Sequence, residues 1–296
     1  MTTQQQITTV STSLYRGLLH STRIPCGTLS MADLRRLYIK LDEKALEAVE
    51  KHLAKLIRLP DHTEEQFKAL KEEMRSYALL SLTVIGSKGE QIFDQSIKPL
   101  DDEYLPEKIT SVTYDSFYNF QNKYNILLLD RFKLTLNLLE TPSPNSYNPW
   151  TQPTPNNSLF EVIGDSQTWV TGVQTLVIDF FKSKGCKRTW IHSQITFNII
   201  SWLVGLPGSF WVVYRIDSQF KNALNQLDNA LHSAIDIYFF LFAFLVFRVI
   251  IHAFRWLLPL IELDENARSF KARAVLTAIL SSLFLALLYD VLKTIF

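Results

Sequence analysis

Three basic side chains interrupt the apolar segment 236–263, and their type and spacing suit them to bind an anion. Arg248, His252 and Arg255 follow one another at spacings of four and three residues, so in a helix they share one face. A charge at the centre of a membrane helix costs ~2.5 to 3.5 kcal/mol on insertion scales, and such a residue is usually paired, extended to the headgroups or turned toward water. The three residues therefore form a candidate intramembrane functional face, which would line an anion-favouring path or contact an acidic residue.

Snorkelling is the structural alternative for this face, because a long basic side chain can bury its stem while its charge stays among the headgroups. Arg255 lies within a turn or two of the predicted cytosolic boundary, which favours snorkelling more strongly for Arg255 than for Arg248. Asp236 precedes Arg248 by twelve residues and lies about a third of a turn off the stripe. It is therefore a poor partner within the same helix.

Two further groups of residues are candidates for function. Asp290 and Lys293 stand three residues apart near the end of the last apolar segment, where they form a candidate intramembrane polar pair. Tyr147 and Trp150 lie in the proline-rich segment 141–157, which is a candidate interaction loop. Packing of this loop onto its own domain is the alternative.

Familiar motifs for metal, nucleotide or covalent catalysis are absent from the sequence. The six histidines show no HExxH or HxxxH spacing, and no GxxxxGK[ST], GxGxxG or GxSxG motif occurs. The acidic turn 101–103 is explained by solvation before Pro106. The sequence therefore predicts no catalytic residue, no metal site and no cofactor, and it favours a non-enzymatic protein. An unfamiliar active site in the soluble part is left open.

Charge and cysteine content limit the classes of partner and compartment. A formal net charge of +1 provides no global basic field, so nucleic acid is not an expected partner. Cys26 and Cys186 are far apart and lack CxxC spacing. We expect free thiols in a reducing compartment.

Sequence patterns in the N-terminal part of the chain predict a cytosolic α+β domain over residues 30–188. A partly flexible segment, 1–29, is predicted to precede it. Ser30 and Asp33 form a predicted capping box at the start of a long amphipathic helix, and Pro60 ends it. A second helix, a mostly antiparallel sheet of about five or six strands and a closing helix follow. The predicted strands come from ALLSLTVI, EQIFD, KITSVTY, the alternating RFKLTLNLLE, and SLFEVI.

Residues 189–296 are predicted to form an α-helical membrane region with about three spans, at about 190–214, 236–262 and 274–296. The first contains 26 consecutive uncharged residues between Arg188 and Arg215, enough to cross a ~30 Å hydrocarbon core. Pro207 and Gly208 are expected to kink it. A two-span arrangement with the second segment lying along the interface is the main alternative.

Basic residues predict the orientation of these spans. They cluster just before the first span and in the connection 264–273, whereas the connection 216–233 has few. The start of the sequence also lacks the pattern of a cleavable signal. These features predict a cytoplasmic N-terminal domain, an outside C-terminus, and a bacterial inner membrane as the location.

Two functional hypotheses from different classes follow. The first is a membrane-anchored, non-enzymatic sensor or interaction protein, whose cytosolic domain binds a partner or signal while its helices tether or oligomerise it. The second is a channel or membrane-permeabilising effector gated by that domain, a layout that resembles prokaryotic defence proteins with a sensor fused to a few spans. Expected partners are the lipid bilayer and either further copies of the chain or another protein. A divalent-cation transporter ranks third, since acidic residues are sparse in the spans.

Overall fold

The computed structural model describes residues 17–58, 60–101, 103, 105–138, 156–184, 189–224, 226–263, 275, 278 and 282. The predicted α+β class is confirmed, with a six-stranded antiparallel sheet. The strands are β1 (Leu18–Arg23), β2 (Gly27–Leu29), β3 (Ser81–Gly86), β4 (Gln91–Asp94), β5 (Ile109–Asp115), β6 (Arg131–Asn137), β7 (Leu159–Gly164) and β8 (Ile261–Leu263).

The helices are α1 (Met31–Lys55), α2 (Glu64–Ser76), α3 (Tyr118–Tyr124), α4 (Gln167–Ser183), α5 (Thr189–His192), α6 (Gln194–Ile200), α7 (Leu206–Leu224) and α8 (Asn229–Leu257). The chain divides into two compact units. The first comprises the described residues within 1–24, 34–136 and 158–180, and the second comprises those within 25–33, 137–157 and 181–296. The second unit therefore includes residues 25–29, which the sequence assigned to the N-terminal segment, and residues 30–33 and 181–184, which it assigned to the soluble domain.

The sheet of the first unit has the strand order β1-β7-β6-β5-β3-β4. Alternate strand residues are fully buried, and α1 is fastened over them by two tyrosine hydroxyls. Tyr38 donates to the Leu80 carbonyl and Tyr114 to the Leu34 carbonyl, both at 3.1 Å. Trp169 of α4 packs on Phe132 of β6 at 6.4 Å between ring centroids. The buried strand residues include Leu82, Val84, Val112, Tyr114, Phe132, Leu134, Leu136, Phe160 and Val162.

The predicted capping box at the start of α1 is confirmed. The amide of Asp33 donates to the Ser30 hydroxyl at 3.2 Å, and the Ser30 amide donates to the Asp33 carboxylate at 3.1 Å. The predicted stripe is buried along the helix, since Leu41, Val49 and Leu53 are at most 2% exposed. Helical periodicity with a matched cap therefore located the start and the buried face of α1 correctly. The helix ends at Lys55, before the predicted stop at Pro60.

One edge of the sheet differs from expectation. Residues 1–29 were predicted to be partly flexible, but Leu18–Arg23 form edge strand β1, which pairs antiparallel with β7 from Leu18↔Gly164 to Arg23↔Leu159. Most side chains of β1 are exposed or half-buried, so the strand shows no apolar alternation. Its order comes from backbone hydrogen bonds to a distant partner, which local sequence does not reveal.

The second unit contains an antiparallel helical hairpin. Its first arm runs through α6, a π-helical turn at Ser201–Gly205 and α7, which is kinked at Phe220, and its second arm is α8. Phe210 contacts Phe240 at 4.6 Å between ring centroids, and Phe197 contacts His252 at 5.4 Å. These pairs show that α8 returns along the first arm over most of its length.

The π-helical turn lies directly before Pro207, where the sequence predicted a kink. Proline has no amide hydrogen and its ring clashes with the carbonyl four residues earlier, so an α-helix must adjust at this point. Ser209 donates its hydroxyl to the Gly205 carbonyl at 2.6 Å. The distortion is thus a widened turn that keeps the arm continuous.

Two helices among the described residues are long and apolar enough to cross a membrane, Gln194–Phe220 and Asn229–His252. Only 28% and 11% of their most apolar windows are buried within the protein, unlike the core helix of a soluble protein. The predicted third span, 274–296, lies outside the described residues apart from three positions. The predicted connection 216–233 is shorter in the structure, because α7 continues to Leu224 and α8 begins at Asn229.

The second helix also ends earlier than its predicted limit at 262. It stops at Leu257, and Ile261–Leu263 form strand β8, which pairs in parallel with β2. Pro259 explains this end, because proline disfavours helical geometry at the preceding residue and lacks the next amide donor. Apolar character alone did not separate this buried strand from the helix before it.

The expectation of free thiols is wrong. Cys26 is disulfide-bonded, and the chain contains one other cysteine, Cys186, which lies outside the described residues. Pairing of cysteines distant in sequence depends on tertiary approach, so spacing could not predict it. The bond removes the argument that the cysteines indicate a reducing compartment.

Candidate functional site

Arg255 is the most deeply buried member of the predicted basic face, with 1% of its surface exposed. Its Nε donates to the Ile191 carbonyl and its Nη2 to the Ser193 carbonyl, each at 3.0 Å. The guanidinium also lies over the Phe197 ring, 4.6 Å from its centroid. These contacts join the C-terminal part of α8 to the α5–α6 junction, where Ile191 lies near the end of α5 and Ser193 is the N-cap of α6.

Arg248 and His252 lie on the same inward face of α8, as the spacing predicted. The Arg248 guanidinium lies 5.5 Å from the Phe197 centroid and 5.9 Å from that of Phe244, and the His252 ring packs on Phe197. Phe197 itself is 1% exposed. The structure therefore gathers Arg248, His252 and Arg255 around one buried phenylalanine, where cation–π attraction offsets part of the cost of desolvation.

His192 is a fourth member of this group that sequence reasoning missed. Its Nε2 donates to the Leu258 carbonyl at 2.6 Å, one turn beyond Arg255 and just before Pro259. That carbonyl belongs to the end of α8, so the imidazole satisfies a helix terminus. The only sequence signal was a histidine beside the basic cluster that precedes the first predicted span.

Strand β8 of the short parallel sheet follows Leu258 closely in the sequence. Gly27 of β2 donates its amide to the Leu260 carbonyl at 3.0 Å, and its α-carbon faces the Phe181 ring, since an added Cβ would lie 3.3 Å from it. Lys184 forms an ion pair with Asp33, and the pKa of Asp33 is lowered because this contact and the bonds from Ser30 outweigh the upward effect of burial. Residues 25–33 are thus fastened to the segments on either side of the hairpin.

We name the group formed by His192, Phe197, Arg248, His252 and Arg255 the basic knot. Its chemistry is that of a structural tie, because the hydrogen bonds of Arg255 and His192 go to backbone carbonyls at helix ends. Arg248 is half-buried, whereas Arg255 is fully enclosed within this chain. Access by an external anion is therefore better at Arg248 than at Arg255.

A separate cluster at the closed end of the hairpin was also missed. Asp217 of α7 and the pair His232 and Asp236 of α8 bring three potential ligand atoms to within 4.8 Å of one another. The available sequence signal was the spacing of four residues between His232 and Asp236, which puts both on one helical face. A His–Asp pair at this spacing matches none of the familiar histidine motifs.

The other predicted candidates are not described. Tyr147 and Trp150 of the candidate loop, and Asp290 and Lys293 of the candidate polar pair, lie outside the described residues. Asp101 of the predicted acidic turn pairs with Arg35 at 3.6 Å. Half of the Asp101 side chain is exposed. This contact fits the solvated turn expected there.

In the first unit, Asp115 is a buried carboxylate that accepts two backbone amide hydrogen bonds. Its Oδ1 accepts from the amides of Phe117 and Tyr118, each at 3.1 Å, at the start of α3. Burial raises its pKa, and the two amide bonds and Lys133 oppose that rise. The role of Asp115 is to cap a short helix.

Comparison with known proteins gives no further assignment: the chain matches no family model, no curated protein and no solved structure.

Proposed function

We propose that the protein is a membrane-anchored, non-enzymatic sensor or interaction protein. In this proposal the sheet-containing unit binds a partner or signal, and the helical hairpin tethers it to the bilayer or joins copies of the chain. The observation that carries the proposal is the outward apolar surface of both arms. Exposed side chains on the two arms include Trp202, Leu203, Phe210, Tyr214, Ile237, Tyr238, Leu241 and Phe242.

This surface is costly in water and favourable in lipid. A soluble monomer rarely exposes a continuous apolar patch of more than a few hundred Å². The hairpin encloses its charged Arg255, whereas large apolar side chains such as Phe210 and Phe242 are exposed on its surface. Insertion into a bilayer, or burial against further copies, would cover the patch.

The binding surface in this proposal is the face of the sheet opposite to α1. Its strand residues are half-buried or exposed and mostly polar, in contrast to the buried face. Thr83 lies opposite Thr113, and Lys133 lies opposite Glu161. A polar strand face of this kind suits a protein partner better than a small molecule, which needs a concave site. The strand residues concerned are Thr83, Thr113, Lys133, Thr135 and Glu161.

Membrane extraction tests the anchor. After expression of the full chain, the membrane fraction is washed with alkaline carbonate and then with detergent. We expect release only by detergent. Recovery of the protein in the carbonate supernatant would contradict the anchor.

Site-specific photo-cross-linking tests the partner-binding part. A photoreactive residue is placed at Thr113 on the open face and, as a matched control, at exposed Glu65 on α2. We expect a cross-linked species in native membranes from position 113 and none from position 65. No product from position 113, with the chain also monomeric, would count against an interaction role.

A channel or permeabilising effector is the second proposal, and the half-buried position of Arg248 beside two aromatic rings favours it. In that case Arg248 would line an anion-favouring path in an oligomer. Planar-bilayer recording of the purified chain and of Arg248→Ala distinguishes the two proposals. Conductance that changes its anion preference in the variant supports the channel, and absence of conductance in both proteins removes it.

For the orientation, we propose a cytoplasmic N-terminal domain at a bacterial inner membrane, because basic residues cluster before the first arm and after β8. The disulfide at Cys26 favours the opposite side, since disulfides persist in oxidising compartments. Fusions of a reporter active only in the cytoplasm and one active only outside, both joined before residue 17, decide between them. Activity of the outside reporter alone would overturn the cytoplasmic assignment.

A further inference from the structure

We propose that Asp217, His232 and Asp236 form a binding site for a borderline divalent cation such as Zn²⁺, which joins α7 to α8 at the closed end of the hairpin. The proposal is independent of the anchoring function. It rests on the convergence of three metal-ligating side chains from two helices.

The geometry is close to that of a metal site. The His232 Nε2 lies 3.0 Å from the Asp217 Oδ1 and 3.8 Å from the Asp236 Oδ2. Ligand atoms around a tetrahedral Zn²⁺ with bonds near 2.1 Å are separated by about 3.4 Å. Small rotations of these side chains would therefore bring all three atoms to bonding distance.

The helices fix this arrangement. His232 and Asp236 are one turn apart on α8, so their side chains emerge on the same face. The His232 amide donates to the Asp228 carbonyl at 2.9 Å, which sets the first turn of α8. Asp217 comes from the opposite arm, three residues and thus a little under one turn before Phe220. The cluster thus spans both arms close to the connection 225–228.

The donor set indicates the class of ion. One imidazole nitrogen and two carboxylate oxygens suit Zn²⁺ and neighbouring first-row divalent ions, whereas Mg²⁺ and Ca²⁺ prefer oxygen alone. With three protein ligands, a tetrahedral ion would keep a fourth position for water. The side chains are accessible enough for an ion to enter, being 42%, 25% and 37% exposed for Asp217, His232 and Asp236.

Charge also favours a cation here. Two carboxylates face a single imidazole, and an imidazole carries at most one positive charge. A divalent ion neutralises the negative charge of both carboxylates, and its binding brings no further negative charge into the cluster. A protonated His232 bridging two aspartates is the competing structure, and the experiment separates the two.

The test measures Zn²⁺ binding by the purified full chain in detergent, after removal of metal with a chelator. Zn²⁺ is titrated in competition with a chromophoric chelator. We expect one equivalent to bind to the wild type, and Asp217→Asn, Asp236→Asn and His232→Asn to weaken binding by about 10-fold or more. Asp228→Asn is the matched control, since Asp228 is exposed in the same connection but outside the cluster. It should bind as the wild type does.

Two further readouts keep the outcome decisive. Co²⁺ should give visible d–d absorption with the wild type and the control, and this absorption should be lost in His232→Asn. Zn²⁺ should raise the melting temperature of the wild type and the control but not of the three site variants. Helix content from circular dichroism without metal checks that each variant is folded. Equal Zn²⁺ binding by wild type and site variants, or no stoichiometric binding by the wild type, would overturn the proposal.

Discussion

At the scale of single residues, the interior of this protein uses basic side chains as hydrogen-bond donors to helix ends. Arg255 is enclosed because two backbone carbonyls and a phenylalanine ring surround its guanidinium. Removal of the guanidinium leaves these two carbonyls without that donor. The free energy of unfolding then falls by more than it does when an exposed charge is removed.

Arg255→Met is therefore expected to destabilise the hairpin by about 2 to 4 kcal/mol. Arg255→Lys should be intermediate, because an ammonium keeps the charge but lacks the planar fork that reaches both carbonyls. Thermal unfolding of the full chain in detergent measures the change. Arg248→Met is the control, since Arg248 is half-buried and methionine also packs well on aromatic rings. A loss at Arg248→Met equal to that at Arg255→Met would contradict this account.

His52 is expected to make the protein less stable in mild acid. Burial, and then the nearby charge of Lys55, lower its pKa in the folded state, and its Nε2 makes no hydrogen bond within the described residues. As pH falls from about 6.5, the unfolded chain takes up a proton before the folded protein does. Stability is thus lost between that pH and the lower folded pKa.

The measurement compares unfolding of wild type and His52→Leu at pH 7.5 and 5.5. We expect a smaller acid-induced loss in the variant, whose leucine suits the neighbouring Phe120 ring. His62→Leu, in the turn before α2, controls for removal of a histidine elsewhere. An unchanged pH dependence in His52→Leu would show that other groups govern the loss.

At the scale of elements, the two arms of the hairpin approach closely because small residues face large ones. Ser201, Gly205 and Ser209 are buried at intervals of four residues on the first arm, a small-residue stripe that lets helices pack tightly. Phe244 and Phe247 of α8 lie against the glycines of this arm. The close approach leaves almost no room for an added methyl group at Gly208.

Gly208→Ala is expected to destabilise the hairpin relative to Gly205→Ala by about 1 to 3 kcal/mol. A Cβ at position 208 would lie 2.7 Å from the Phe247 Cζ, whereas one at position 205 would lie 3.6 Å from the nearest Phe244 atom. Alanine raises helix propensity about equally at both positions, so the difference in melting temperature reports packing.

Phe247→Leu supplies the rescue test for this contact. In the double variant the smaller side chain should accept the methyl group at position 208, giving a favourable coupling free energy in a double-mutant cycle. Additive effects of the two substitutions would show that Gly208 and Phe247 do not share the space assigned to them.

At the scale of the whole molecule, the disulfide at Cys26 is a covalent restraint on the chain. Cys26 lies between β1 and β2, at the boundary where the chain leaves the first unit. A disulfide restricts the unfolded chain and adds to stability, typically by about 2 to 4 kcal/mol. Its formation requires an oxidising partner during folding.

Thiol counting is expected to find no reactive cysteine in the denatured, unreduced chain and two after reduction. Maleimide labelling followed by mass spectrometry makes the measurement, with alkylation at lysis to prevent exchange. Cys26→Ser and Cys186→Ser should each expose one thiol and lower the melting temperature. A dimer on a non-reducing gel would instead assign the bond to two chains, and two thiols in the unreduced protein would refute it.

Periodicity and caps determined much of this protein from sequence alone. The long helix α1 with its Ser30 box, the alternating strand β6 and the two apolar helices follow from local patterns of burial and hydrogen bonding. The shared face of Arg248, His252 and Arg255 also follows, because helical geometry fixes the direction of side chains along one element.

Only the tertiary structure decided which distant segments these local elements contact. The edge strand β1, the parallel pair β2–β8 and the disulfide at Cys26 join segments far apart in sequence. The same holds for the enclosure of Arg255 and for the approach of Asp217 to His232 and Asp236. Periodicity states which face a residue occupies, but the identity of the atoms across from that face depends on how distant elements pack. That packing brings Arg248, His252 and Arg255 together around Phe197 in the basic knot. It also places a second cluster at the other end of the hairpin.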